Sequence, residues 1–204
     1  LMTLAEVGYL TFDGKFFTPT PRVLRLGATY GQTAALPQLA QPHLAAVRDD
    51  VQESASLAVL SEGESLFIAR SEGTRIIDTG VRVGARVPLH ASATGHVLLA
   101  GLPSSEFEAY LANGDFPART PKTPTNAASL RERVSRAAHD GFAIGVEELE
   151  LGLVAIAVPV SDPTGRIVAA MSVSASTARV TPEDLLDRFA PVMQRHADTL
   201  GRQL

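Results

Sequence analysis

Two apolar runs separated by a four-residue turn constrain this chain more than any other feature. Residues 154–161 and 166–174 are long enough to cross a sheet, and Asp162-Pro163-Thr164-Gly165 between them has turn chemistry at every position. Together they predict an antiparallel hairpin. Alternate strand residues point the same way, so Ser172 and Ser174 share one face of the second strand. Residues 56–60 and 65–70 around Ser61-Glu62-Gly63-Glu64 predict a hairpin upstream. Residues 75–83 read as its third strand, and Phe142-Ala143-Ile144-Gly145-Val146 as a further one.

Helical spacing separates these strands. Leu130, Val134, Ala137 and Ala138 mark an amphipathic helix stopped by Gly141, and residues 104–112 a shorter one before a loop rich in Gly, Pro and Thr. Thr181-Pro182-Glu183-Asp184 opens a final helix with an N-cap, Pro at its first position and acids in its first turn. Its buried stripe is Leu185, Phe189, Val192, Met193, His196 and Leu200. Leu36, Leu39, Ala40, Leu44, Val47 and Val51 mark another helix, which Pro42 is expected to kink or restart. The whole predicts an α+β fold, an antiparallel sheet with helices packed on it.

At 204 residues and 45% hydrophobic, the chain is long enough for one domain with a sizeable core, or for one domain plus a fragment of another. No apolar run approaches the roughly 20 residues of a membrane span and no leader pattern opens the sequence, so a cytoplasmic location is expected. The absence of Cys excludes disulfides and thiolate metal sites. His43, His90, His96, His139 and His196 show no helical metal spacing, so neither metal nor cofactor is expected. Residues 1–34 carry Lys15, Arg22 and Arg25 against Glu6 and Asp13, which leaves a net charge of −5 for residues 35–204. Any DNA contact must therefore come from the N-terminal piece.

That piece reads as a short helix to Val7, a stop at Gly8, and two short strands around Asp13-Gly14. One helix and one hairpin cannot bury a core. Residues 1–19 are thus expected to be the C-terminal remnant of a winged-helix domain; an N-terminal arm packed on the following domain is the alternative. Residues 20–34 read as a linker helix, with Thr20 as N-cap, Pro21 at N1 and a stripe of Val23, Leu26 and Tyr30. Residues 35–204 form the remaining domain.

Between the hairpins, Gly84 and Pro88 break regular structure, the small residues 91–95 permit close backbone approach, and Val97-Leu98-Leu99 begins an inward-facing helix with Thr94 as candidate N-cap. A loop feeding a helix start is a natural seat for a small anion, and equally a plain helix cap. Glu147, Glu148 and Glu150 read as a solvated acidic cluster. No Cys nucleophile, G-x-S-x-G elbow or phosphate loop supports an enzyme.

Several of these stretches resemble the IclR family of bacterial transcriptional regulators. Gly8-Tyr9-Leu10, Asp13-Gly14 and residues 20–27 are similar to its wing and linker helix. Arg86-Val87-Pro88-Leu89-His90-Ala91-Ser92-Ala93-Thr94-Gly95 is similar to its effector-domain signature, as are Glu147-Glu148 with residues 152–160, and Ala170-Met171-Ser172-Val173-Ser174. The motifs stand in the family's order along essentially the whole chain. The resemblance implies a GAF-like effector domain for residues 35–204, operator DNA bound through the winged helix, and a homodimer or tetramer.

It also implies effector contacts at Ala93, Thr94, Leu153, Ala155, Ser172 and Ser174. Apolar burial must supplement such polar contacts, which adds Val87 and Met171 as candidate walls. Family members that bind small keto acids have an acidic residue where this chain has Gly145. The phrases at residues 80–86 and 148–153 look most like the branch controlling aromatic-acid catabolism through the β-ketoadipate pathway. The implied effector is a small aromatic carboxylate such as protocatechuate or 4-hydroxybenzoate, with Arg86 either its counter-ion or a structural residue. The competing readings are a sensor module acting through a protein partner and an enzyme on small acids.

Overall fold

The computed structural model describes residues 1–73 and 81–204, in two units, Leu1–Gln38 and Leu39–Leu204. In the first, helix α1 (Met2–Glu6) ends before Gly8, whose φ of 76° suits a residue without Cβ. Strands β1 (Leu10–Phe12) and β2 (Phe17–Pro19) pair around Asp13, whose carboxylate accepts the amides of Lys15 and Phe16 at 2.8 and 2.7 Å. Thr20 ties this hairpin together by donating to the Gly8 carbonyl at 2.8 Å, while helix α2 (Val23–Thr33) starts only after a turn at Pro21 and Arg22. The predicted stripe is uncovered: Leu26 and Tyr30 are 54% and 49% exposed.

Helix α3 (Ala35–Val51) runs through Pro42 without the predicted restart. The break falls at Ala34, whose extended backbone ends α2. Pro42 and Gln38 both lie on an exposed face, so water can satisfy the carbonyl that Pro42 leaves without its N–H partner. Ala40, Leu44, Val47 and Val51 are buried as the spacing requires.

In the second unit β3 (Ala55–Ser61) and β4 (Glu64–Ser71) form the first predicted hairpin. The third strand is β5 (Arg86–Pro88), not residues 75–83: 81–83 are not strand, and 75–80 lie outside the described residues. Val83 and Gly84 make a turn instead, with Gly84 at φ 88°. Pro88 is tolerated because β5 is an edge strand. After a 3₁₀ turn (Leu89–Ala91) come α4 (Ala93–Ala100), α5 (Ser104–Asn113) and α6 (Ala127–Asp140). Asn126 caps α6 at its start and Gly141 stops it with a φ of 73°.

Strands β6 (Ala143–Val146), β7 (Leu153–Ser161) and β8 (Ile167–Ser176) complete an antiparallel sheet in the order β5-β4-β3-β8-β7-β6. The last helix opens as α7 (Pro182–Asp184), where Thr181 and Asp184 form a reciprocal capping box. It passes through a π turn (Leu185–Phe189) into α8 (Ala190–Gly201). Pro191 lacks the N–H a continuous α-helix needs, and the wider turn accommodates it.

The two faces of the sheet differ in residue size. On β7 and β8, Val154, Ile156, Val158, Val160, Met171 and Val173 are fully buried on one face, and α8 packs against those two strands. The other face carries Ala155, Ala157, Ala170, Ser172 and Ser174, with Ala143 and Gly145 alongside on β6. Side chains this small let α4 approach closely. Ala143, Ala157 and Ala170 pack directly with Val97, Leu98 and Leu99.

Candidate ligand-binding cavity

The cavity begins with the start of α4. Ser92, in extended backbone, is the true N-cap: its Oγ accepts the Gly95 amide at 3.1 Å and donates to the Pro88 carbonyl at 2.9 Å. Thr94, the residue expected there, is the second residue of the helix and donates to Ser65 Oγ at 3.1 Å. Ala93 and Thr94 thus occupy the first two helical positions, whose N–H groups have no partner within a helix. Gly95 permits the tight approach to the preceding turn, since a Cβ there would stand 2.1 Å from the Leu89 carbonyl oxygen.

Beyond this helix start, the small face of the sheet leaves a narrow hollow. Ala91 to Thr94 form one end, Gly145, Leu153, Ala155, Ser172 and Ser174 the floor, and Phe67, Val81, Val87 and Leu149 the apolar walls. Registry explains the floor: Ser174 lies opposite Ala155, and Ala155 opposite Gly145, across three neighbouring strands.

Eight of the ten residues singled out in the sequence line this hollow: Ala93, Thr94, Leu153, Ala155, Ser172, Ser174, Val87 and Gly145. Met171 does not, because strand alternation turns it to the opposite face, where it is fully buried. Nor does Arg86. Its guanidinium donates to the Ser61 carbonyl at 2.9 Å and pairs with Glu62 and Glu64 at 3.1 and 3.6 Å, which makes it a brace for the β3–β4 turn.

The residue sequence reasoning misplaced is Glu148. It is 4% exposed and lines the cavity, whereas Glu147 is tied by Lys122 and the Gly152 amide. Glu148 Oε1 accepts from Arg133 Nε at 2.8 Å, and its backbone carbonyl accepts from Thr123 at 2.6 Å. Oε2 is 3.9 Å from Nδ1 of the fully buried His96, too far for a hydrogen bond. Burial pushes the Glu148 carboxyl up against the opposing pull of Arg133 and holds His96 down to about 4. His96 is therefore neutral at pH 7. Its Nε2 carries the proton toward the His90 carbonyl at 2.9 Å, which leaves Nδ1 a bare acceptor.

The family description "Bacterial transcriptional regulator IclR C-terminal" matches residues 28–202. The chain belongs to the IclR family of bacterial transcriptional regulators. It is 36% identical over 205 residues to the Pca regulon regulatory protein of Pseudomonas putida, covering 100% of this chain and 70% of that protein. It is 34% identical to the p-hydroxybenzoate hydroxylase transcriptional activator of Acinetobacter baylyi, covering 98% and 76%. The crystal structure of an IclR homologue from Microbacterium hydrocarbonoxydans complexed with 4-hydroxybenzoate matches with a TM-score of 0.80 at 28% identity, covering 100% of this chain and 83% of that one.

In this IclR-family chain the effector-domain signature thus coincides with the α4 end of the cavity. Phe67 and Leu149 had no local signal, because only the β4 register and the path after β6 bring them there. Among the described residues, no helix is long and apolar enough to cross a membrane.

Proposed function

We propose that the chain is the sensing part of a regulator of aromatic-acid catabolism, and that the cavity binds a small aromatic carboxylate such as protocatechuate or 4-hydroxybenzoate. The single observation that carries this reading is the pairing of two environments in one hollow. A helix start and the Ser172 hydroxyl offer donors to a carboxylate, with Ser174 beside them on the same face, and Phe67, Val87, Leu149 and Leu153 offer apolar surface to a ring. Magnitudes require both. Affinity near 10 μM needs about 7 kcal/mol, while a helix terminus contributes roughly 0.3–1 and a charge-assisted hydrogen bond about 1.5–3. Burial of a ring offsets the difference. The names of the two curated relatives and the 4-hydroxybenzoate held by the Microbacterium homologue support the choice of ligand.

In this reading, residues 1–19 are the end of a winged-helix domain, 20–34 the linker helix and 35–204 the effector domain. The protein acts in the cytoplasm as a homodimer or tetramer. Effector binding biases the arrangement of paired effector domains, and the linker helices pass that bias to winged helices on operator DNA. Titration calorimetry of the chain against protocatechuate, 4-hydroxybenzoate, β-ketoadipate, pyruvate and glyoxylate tests the cavity. The expected result is micromolar binding of an aromatic acid, weakened at least tenfold by the Ser172→Ala, Ser174→Ala double substitution with unchanged melting temperature. Binding of the short keto acids alone overturns the aromatic assignment.

A further inference from the structure

Glu148 is the one ionisable side chain along the cavity wall among the described residues, and no described Lys, Arg or His lines the cavity beside it. Arg133 of α6 holds Oε1, but Oε2 is buried without a hydrogen-bond partner. A Cβ built on Gly145 would stand 3.5 Å from that oxygen and 3.7 Å from the Ala93 amide nitrogen. The orphan oxygen and the open end of α4 therefore converge over the bare Cα of Gly145. An anion seated on the α4 amides would lie directly beside the carboxyl.

Among the described residues, the surrounding groups favour a proton on that oxygen. From α4, His96 presents Nδ1, another bare acceptor without a partner. From α6, Arg133 is engaged on the opposite oxygen, and Glu148, His96 and Arg133 also border an outer hollow that Arg136, Asp140 and Lys122 line, the Lys122 ammonium being paired with Glu147 at 2.6 Å. An ionised Oε2 would thus face a lone pair on one side and, in the complex, a second negative charge on the other. Two carboxyl groups in contact cannot both ionise and retain one proton between them.

We infer that Glu148 receives the effector as a carboxylic acid, sharing one proton with the bound carboxylate, so that binding takes up a proton from solvent. This rests on the proposed carboxylate effector. It makes Glu148 a selectivity element: anionic acids bind through the shared proton, and their neutral amides do not gain it.

Calorimetry of the whole chain with 4-hydroxybenzoate and protocatechuate, in buffers of different ionisation enthalpy between pH 5.5 and 8, counts the protons. The expected result is uptake approaching one proton above neutral pH, with affinity falling up to about tenfold per pH unit. Glu148→Gln keeps a donor but cannot titrate, so its binding is expected to be flat with pH and without uptake. The amide 4-hydroxybenzamide is expected to bind wild type without uptake. Aromatic acid binding without proton uptake in the wild type overturns the inference and leaves the proposed function standing. Uptake that persists in Glu148→Gln also overturns it, by assigning the proton to His96. Absence of aromatic acid binding at every pH removes both readings.

Discussion

His96 is fully buried, donates through Nε2 to a backbone carbonyl and has its pKa held near 4, against an ordinary value of 6.5. Between those two values the unfolded chain binds a proton that the folded chain refuses, so stability falls as pH drops through this window. The full effect is about 3 kcal/mol, reached near pH 4. Glu148, raised by burial, acts in the opposite sense because its folded form holds the extra proton. The difference between wild type and His96→Gln isolates the histidine. Urea unfolding at pH 7 and pH 4.5 is expected to give a steeper acid loss for wild type; parallel losses in both proteins would show that His96 is not the titrating group. None of this was legible locally. His96 and Glu148 read as a lone histidine and a solvated acid, and only the meeting of α4, α6 and the end of β6 places them together.

At the scale of elements, capping chemistry was the most readable signal and packing glycines the least. Thr181-Pro182-Glu183-Asp184 predicted a helix start that the capping box fulfils, and Asp162-Pro163-Thr164-Gly165 turns as expected, with Gly165 at φ 84°. The start of α4 was placed within two residues, but Ser92 caps it and Thr94 does not. Both residues have the right hydroxyl, and the backbone conformation decides between them. Gly95 is required by contact rather than by dihedral angle, since its missing Cβ leaves room for the Leu89 backbone. Gly95→Ala is expected to cost about 3 kcal/mol or more, as overpacking against backbone does, and to abolish effector binding by displacing the helix start. A melting temperature within about 2 °C of wild type would show that the turn before α4 yields freely.

At the scale of the whole molecule, the cavity exists because one face of the sheet is lined with small residues over β6, β7 and β8 while the opposite face is filled by branched ones. Ala155→Leu adds three carbons to a half-buried floor position that packs against the core cluster. It is expected to fill the hollow and to weaken aromatic acid binding more than tenfold. Equal affinity would place the ligand elsewhere. The alternation that separates the two faces is written in the sequence: large residues at 154, 156, 158 and 160, small or hydroxyl residues at 155, 157, 172 and 174. Strand period, turn residues and helix caps are properties of neighbouring positions, so the sequence by itself determined the hairpins, most helix bounds and the serine face. Tertiary structure alone decided that Arg86 braces a turn, that Glu148 is buried beside Gly145, that Phe67 walls the cavity, and that His43 meets His196 at 3.3 Å. The reason is physical: burial and partnership depend on which elements are pressed together across the fold, and no local pattern encodes that distance.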